Sequence, residues 1–143
     1  MPNAGWKHKA EAMPVLEGGC LCGALRYQLQ PPWLDAGFGH CRLCQRASGA
    51  PVMAWGSIDE TRFAYTRGKP ARFASSAQAT REFCPQCGTA LTFRSARQPG
   101  LVDFTLASLD HPEHITPQYH IWTSRQLPWL MLADTLPRHC HDE

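Results

Sequence analysis

The chain has 143 residues, of which 43% are hydrophobic and 18% charged, the balance of a single small globular domain. Its formal net charge is only +2 and it carries no run of Lys or Arg, so the positive field of a phosphate-backbone binder is missing and nucleic acid is not an expected partner. No apolar run approaches the roughly 18–20 residues of a membrane span, and the first 13 residues lack the apolar stretch of a signal peptide.

In chain order, residues 1–13 are polar and irregular and read as a flexible arm, 14–138 as the folded zinc-binding domain, and 139–143 as a C-terminal tail. Residues 23–30 alternate, with Leu25, Tyr27 and Leu29 on one face of an expected strand that Pro31-Pro32 stops. Residues 42–48 are expected to make one or two helical turns ended by Gly49. Short β-type runs follow at 51–58, 62–66, 71–75, 89–93 and 101–106, divided by Gly, Pro or Ser. Residues 110–113 read as a turn, and 119–132 form a last ordered, aromatic-rich run interrupted by Pro128. Twelve Pro and eleven Gly favour short strands over long helices, so the expected fold class is mainly β, a small antiparallel protein with zinc near one end.

The cysteines carry the chemistry. Cys20 and Cys22 lie two residues apart and, on a strand, share a face. Cys84 and Cys87 form a C-x-x-C turn with Gly88 directly after it. Together they supply the four sulfurs that structural Zn²⁺ prefers, so one zinc ion is expected to clamp two distant segments. Cys41 and Cys44 are another C-x-x-C, read three ways: a partial or labile metal site, a reactive dithiol, or plain buried thiols. His40 is the obvious third ligand there, although on an extended segment it points away from its neighbour Cys41. Cys140, between His139 and His141, is read as part of a disordered terminus rather than a ligand set. With seven cysteines and no secretory signal, the expected compartment is a reducing cytoplasm holding metal-bound or free thiols.

With these residues laid out, the chain resembles the glutathione-dependent formaldehyde-activating enzyme family, which also takes in centromere protein V. The resemblance rests on Gly18-Gly19-Cys20-Leu21-Cys22-Gly23 with Tyr27, on His40-Cys41-x-x-Cys44 with Ser48-Gly49-Ala50-Pro51, on the stretch from Arg81 through Cys84 and Cys87 to Thr89, and on His120-Ile121-Trp122 with Pro128-Trp129. It implies a β-tent of antiparallel sheets with a structural zinc on Cys20, Cys22, Cys84 and Cys87. It further implies a carbon–sulfur lyase that joins formaldehyde to the thiol of glutathione, or of another small thiol, through a second, catalytic zinc. The family's middle motif reads Cys-His-Cys-x-x-Cys; here Gly39 stands in place of the first cysteine, leaving Cys41 and Cys44 as the remaining candidate ligands of that zinc. Arg42, Arg46 and Arg125 are candidates for the two carboxylates of glutathione, against the alternative of solvated surface side chains. A non-catalytic, zinc-stabilised binding module is the other functional class, and an exposed apolar patch at Trp122 and Trp129 would favour it over their packing in the core.

Overall fold

The computed structural model describes residues 14–142; the expected N-terminal arm, residues 1–13, lies outside the described residues. The described residues form ten strands: β1 (Leu16–Gly19), β2 (Arg26–Leu29), β3 (Asp35–Gly39), β4 (Met53–Asp59), β5 (Phe63–Arg67), β6 (Ala71–Ala74), β7 (Ala79–Phe83), β8 (Ala90–Ser95), β9 (Leu101–Thr105) and β10 (His120–Ile121). One helix of seven residues, α1 (Arg42–Ser48), lies between β3 and β4 and ends at Gly49, whose φ of 74° is the left-handed cap expected of glycine. No helix among the described residues is long and apolar enough to cross a membrane.

The strands divide into a three-stranded sheet, β1-β2-β5, and a seven-stranded sheet, β10-β3-β4-β9-β8-β7-β6. Pairing is antiparallel throughout except at one edge, where β10 runs parallel to β3 and sets His120 beside Phe38. The expectation of a purely antiparallel protein is corrected there, because β10 arrives after a long excursion rather than through a hairpin. β2 follows the expected alternation, with Tyr27 and Leu29 buried and Arg26 and Gln28 on the other face. Tyr27 stacks on Phe63 with ring centroids 5.1 Å apart. Together with Ile58, Leu91, Val102 and Phe104 of the large sheet, these residues make one buried core.

Three strands, β1, β3 and β7, lie where no β-type run is expected. β3 contains two glycines and an Asp, so large apolar residues do not mark it, and β7 has the sequence ATREF, in which only Glu82 is fully buried. The final run, 119–132, contains only the two residues of β10 and a single 3-10 turn at Thr123–Arg125, so tertiary contacts hold it rather than local pattern. The tail is not loose. The His139 N–H donates to the His120 carbonyl, the Trp122 N–H donates to the His141 carbonyl, and the Trp122 indole N–H donates to Asp142 at 2.9 Å. Trp122 is half-buried and Trp129 is 69% exposed, so neither belongs to the core; among the described residues the buried tryptophan is Trp33.

Candidate metal centre and cavity

Each of the first two cysteine pairs occupies a hairpin turn. Cys20 and Cys22 lie in the β1–β2 connection of the small sheet, and Cys84 and Cys87 in the β7–β8 connection of the large one. The sequence-based picture of Cys20 and Cys22 on a strand is corrected: the chain turns there, with Gly23 at φ 80° donating its N–H to the Cys20 carbonyl. Gly88, at φ 81°, does the same for Cys84, so the two turns are built alike. Their tips meet, and the Leu21 N–H donates to the Thr89 hydroxyl across the two sheets at 3.0 Å.

All four sulfurs lie within 4.8 Å of one another. Cys20 to Cys22 is 3.7 Å and Cys22 to Cys84 is 3.8 Å. A tetrahedral ion with metal–sulfur bonds of about 2.3 Å requires sulfur–sulfur edges of about 3.8 Å. The cluster is therefore a four-thiol centre that could hold a metal ion. Backbone N–H groups already point at the sulfurs: Leu25 at Cys20 (3.2 Å), and Gln86 and Cys87 at Cys84 (both 3.4 Å). Such donors favour thiolates. Burial works against the Cys20 thiolate, yet the Leu25 N–H and the Cys22 and Cys84 thiols outweigh it and hold its pKa below the ordinary thiol value. The Thr89 hydroxyl and N–H pull Cys87 down to about 5.

Cys41 and Cys44 sit elsewhere, at the start of α1. Hydrogen bonding from Cys44 pulls Cys41 down to about 5 against the effect of burial. The same bond, followed by burial, pushes Cys44 up, so the pair holds one proton between two sulfurs. Among the described residues, no third His, Cys, Asp or Glu ligand atom joins them in a compact cluster. A three-ligand metal centre does not fit here as the chain stands. An ideal Cβ built on Gly39 would lie 3.6 Å from the Trp55 ring, in ordinary contact, so the position lacks a ligand but not the space for one.

His40 turns away from the pair. It is fully buried, and its Nε2 lies 2.9 Å from His120 Nδ1, while His120 Nε2 lies 3.0 Å from Asp134. The carboxylate can only accept, so the His120 Nε2–H donates to it and the His40 Nε2–H donates to His120. His40 Nδ1 then keeps a lone pair without a partner among the described residues. Burial, with His120 beside it, pushes His40 down to about 4. Gln45 of α1 is buried as well, and its amide donates to the carbonyls of His40, Pro51 and Arg125, tying the helix to three loops.

Cys44 opens onto a cavity of about 550 Å³ between α1 and the β6–β7–β8 end of the large sheet. Leu43, Met53, Trp55 and Phe73 supply apolar wall, and Arg46 and Arg81 supply charge. Of the arginines expected to meet a substrate, only Arg46 lines this space. Arg42 donates to Gln45 at 3.3 Å, and Arg125 is exposed on its 3-10 turn. Arg81 was not singled out by sequence, yet its Nη2 donates to Cys44 Sγ at 3.6 Å and its guanidinium lies 4.9 Å from the centre of the Phe93 ring. Its position three residues before Cys84, a buried metal-type cysteine, is the sequence signal that marks it.

On the floor, the 1%-exposed Glu82 accepts hydrogen bonds from Tyr65 (3.1 Å), Thr92 (2.6 Å) and Arg72 (2.8 Å), with Arg94 at 3.7 Å. Tyr65 belongs to β5 of the small sheet, so Glu82 is a second joint between the sheets.

A two-sheet β protein with a four-thiol centre joining its sheets is the class that fold and site define. The chain belongs to the glutathione-dependent formaldehyde-activating enzyme family, whose profile matches residues 15–125. Over 83 residues it is 34% identical to an uncharacterized lyase of Schizosaccharomyces pombe, a match covering 57% of this chain and 58% of the yeast protein. The chain thus matches a little over half the length of that relative. Its fold resembles the crystal structure of a Rhodobacter sphaeroides protein, with a TM-score of 0.52 and 24% identity, over 66% of this chain and 87% of that one.

Proposed function

We propose that this protein is a carbon–sulfur lyase acting on the adduct of a small thiol, glutathione in the family's own description, with an aldehyde of the formaldehyde type. The observation that carries the reading is Cys44, whose sulfur faces the cavity next to the guanidinium of Arg81. Family membership supplies the reaction class. We further propose that Cys20, Cys22, Cys84 and Cys87 hold a structural zinc, that residues 14–138 are the functional domain, and that the protein works in a reducing, cytoplasmic setting. Zinc at that centre supplies a cross-link between the two sheets, and the sulfur–sulfur edges near 3.8 Å support it.

In the lyase direction, the carbon–sulfur bond breaks and the sulfur keeps the electron pair. The adduct's hydroxyl gives up its proton as the carbonyl forms. Arg81 donates toward the sulfur position beside Cys44, where a departing thiolate gains from a cation in partly water-free surroundings. Arg46, at the mouth, draws a carboxylate of the substrate. No step is assigned to a metal at Cys41 and Cys44, since the chain brings only two thiols there.

That two-thiol arrangement favours one other reading, a zinc-stabilised binding module without catalysis, and one experiment separates them. Thiol–aldehyde adduct turnover is measured for the wild type and for Cys44→Ser, with metal content determined on the same samples. The lyase reading expects turnover above the spontaneous rate and a loss of at least about tenfold in the variant. Turnover at the spontaneous rate in both proteins, with the structural metal retained, establishes the binding module instead.

A further inference from the structure

The cavity beside Cys44 is more apolar than a small peptide thiol requires. Leu43 and Phe73 stand 53% and 62% exposed at its mouth, and Met53 and Trp55 continue the apolar wall inward. Its volume of about 550 Å³ is that of a small-molecule site. Glutathione is studded with carboxylate, ammonium and amide groups, which such walls leave without hydrogen-bond partners. A one-carbon hydroxymethyl group would cover little of this surface, whereas large exposed apolar side chains around a concavity gain from being covered.

The charge of the site is equally specific. Glu82 is the carboxylate on the lining, and it is already met by Tyr65, Thr92, Arg72 and Arg94. Arg46 and Arg81 have no carboxylate partner among the described residues. Arg81 is also fixed in place by the Phe93 ring and the Cys44 thiol, and its Nε is buried without a partner. An immobilised guanidinium without a carboxylate partner, set inside apolar walls, selects a ligand that is anionic at one end and apolar along its body.

We propose that the cavity takes an anionic small molecule whose sulfur carries an apolar substituent of several carbons, with Arg81 anchoring the anion and Phe73 and Trp55 covering the substituent. The inference rests on the thiol-adduct reading above and specifies it: the aldehyde partner is an apolar one larger than formaldehyde.

Calorimetric titration of the full-length protein with glutathione, S-hexylglutathione and octanoate tests this. S-hexylglutathione is expected to bind at least about tenfold tighter than glutathione, since the hexyl chain buries several methylenes. Phe73→Ser is expected to erase most of that preference, weakening S-hexylglutathione far more than glutathione. Arg81→Met is expected to weaken S-hexylglutathione and octanoate alike, and Arg81→Lys, which keeps the charge in case the first variant folds poorly, to recover part of the loss.

Equal affinity for the two peptides overturns the inference while leaving the thiol reading intact. Binding of octanoate that depends on Arg81, with neither peptide bound, retains the apolar-anion site and removes the thiol reading. Binding of none of the three, or a hexyl preference that survives Phe73→Ser, overturns the inference.

Discussion

The two cysteine regions use the same residue type for opposite ends. At the hairpin tips, four sulfurs from two sheets converge, backbone N–H groups are aimed at them, and the Thr89 side chain spans both turns. Beside α1, two sulfurs share one proton, no third ligand group among the described residues closes on them, and one of them faces a cavity of about 550 Å³. A closed four-thiol cage suits stability, and an open pair next to a guanidinium suits binding and chemistry. The difference comes from attachment: the first pairs sit in tight turns that fix each sulfur, whereas the second lies at the mouth of a short helix held by Gln45.

The largest expected effect breaks the closed centre. Cys87→Ser removes one of its four sulfurs, and a structural zinc contributes on the order of 10 kcal/mol to folding, as much as the whole net stability of a domain. The variant is expected to show no cooperative thermal transition by circular dichroism. A melting temperature within a few degrees of the wild type would mean that the two regions do not differ in the way described.

Glu82→Ala is the next largest. It leaves Arg72 without its carboxylate and Tyr65 and Thr92 without an acceptor, while Arg94 keeps Glu60. A loss of about 2–3 kcal/mol is expected from urea unfolding, because the two hydroxyls lose their acceptor. A loss below about 1 kcal/mol would show that the cysteine centre alone joins the sheets.

Gly39→Cys sharpens the contrast from the other side. The new Cβ meets only ordinary contacts with Trp55 and the Met53 carbonyl, so stability is expected to change by less than about 1 kcal/mol. Metal content after mild chelation is expected to rise relative to wild type. An unchanged metal content would mean that a third sulfur at this position does not complete a site with Cys41 and Cys44.

The last test is a buried carboxyl that belongs to neither cysteine centre. Asp103 accepts from the Ser57 hydroxyl at 2.6 Å, and burial pushes its carboxyl up to about 6 from 3.8. The folded chain therefore keeps a proton that the unfolded chain releases, and stability falls as pH rises from about 4 to about 6. Asp103→Asn does not titrate, so its melting temperature is expected to gain on the wild type across that window and hold a constant lead above it. A difference that is flat from pH 4 to pH 7 would mean that this carboxyl titrates in the ordinary range.

The strand at 26–29 was legible because Tyr27 and Leu29 alternate with polar residues, and the helix at 42–48 because Gly49 ends it. β3 and β7 were not, since a glycine-rich strand and one whose buried residue is a glutamate carry no apolar period. Arg81 escaped notice for a related reason: its importance lies in what faces it across the cavity, and Phe93 and Cys44 are far from it in sequence or on another element. That Trp129 is exposed rather than packed in the core was not legible either, because size and aromaticity say nothing about which side of a loop a residue occupies.

Sequence alone determined which cysteines could share one centre, because the short spacings and following glycines are local properties of turns. It also determined the family, through motifs spread over most of the chain. Only the tertiary structure decided that the two turns belong to different sheets, that His40 pairs with His120 rather than with Cys41, and that the Arg81 guanidinium donates to Cys44. Those facts depend on how sheets pack and on which buried charges find partners, and both are settled by long-range contacts that no local spacing encodes.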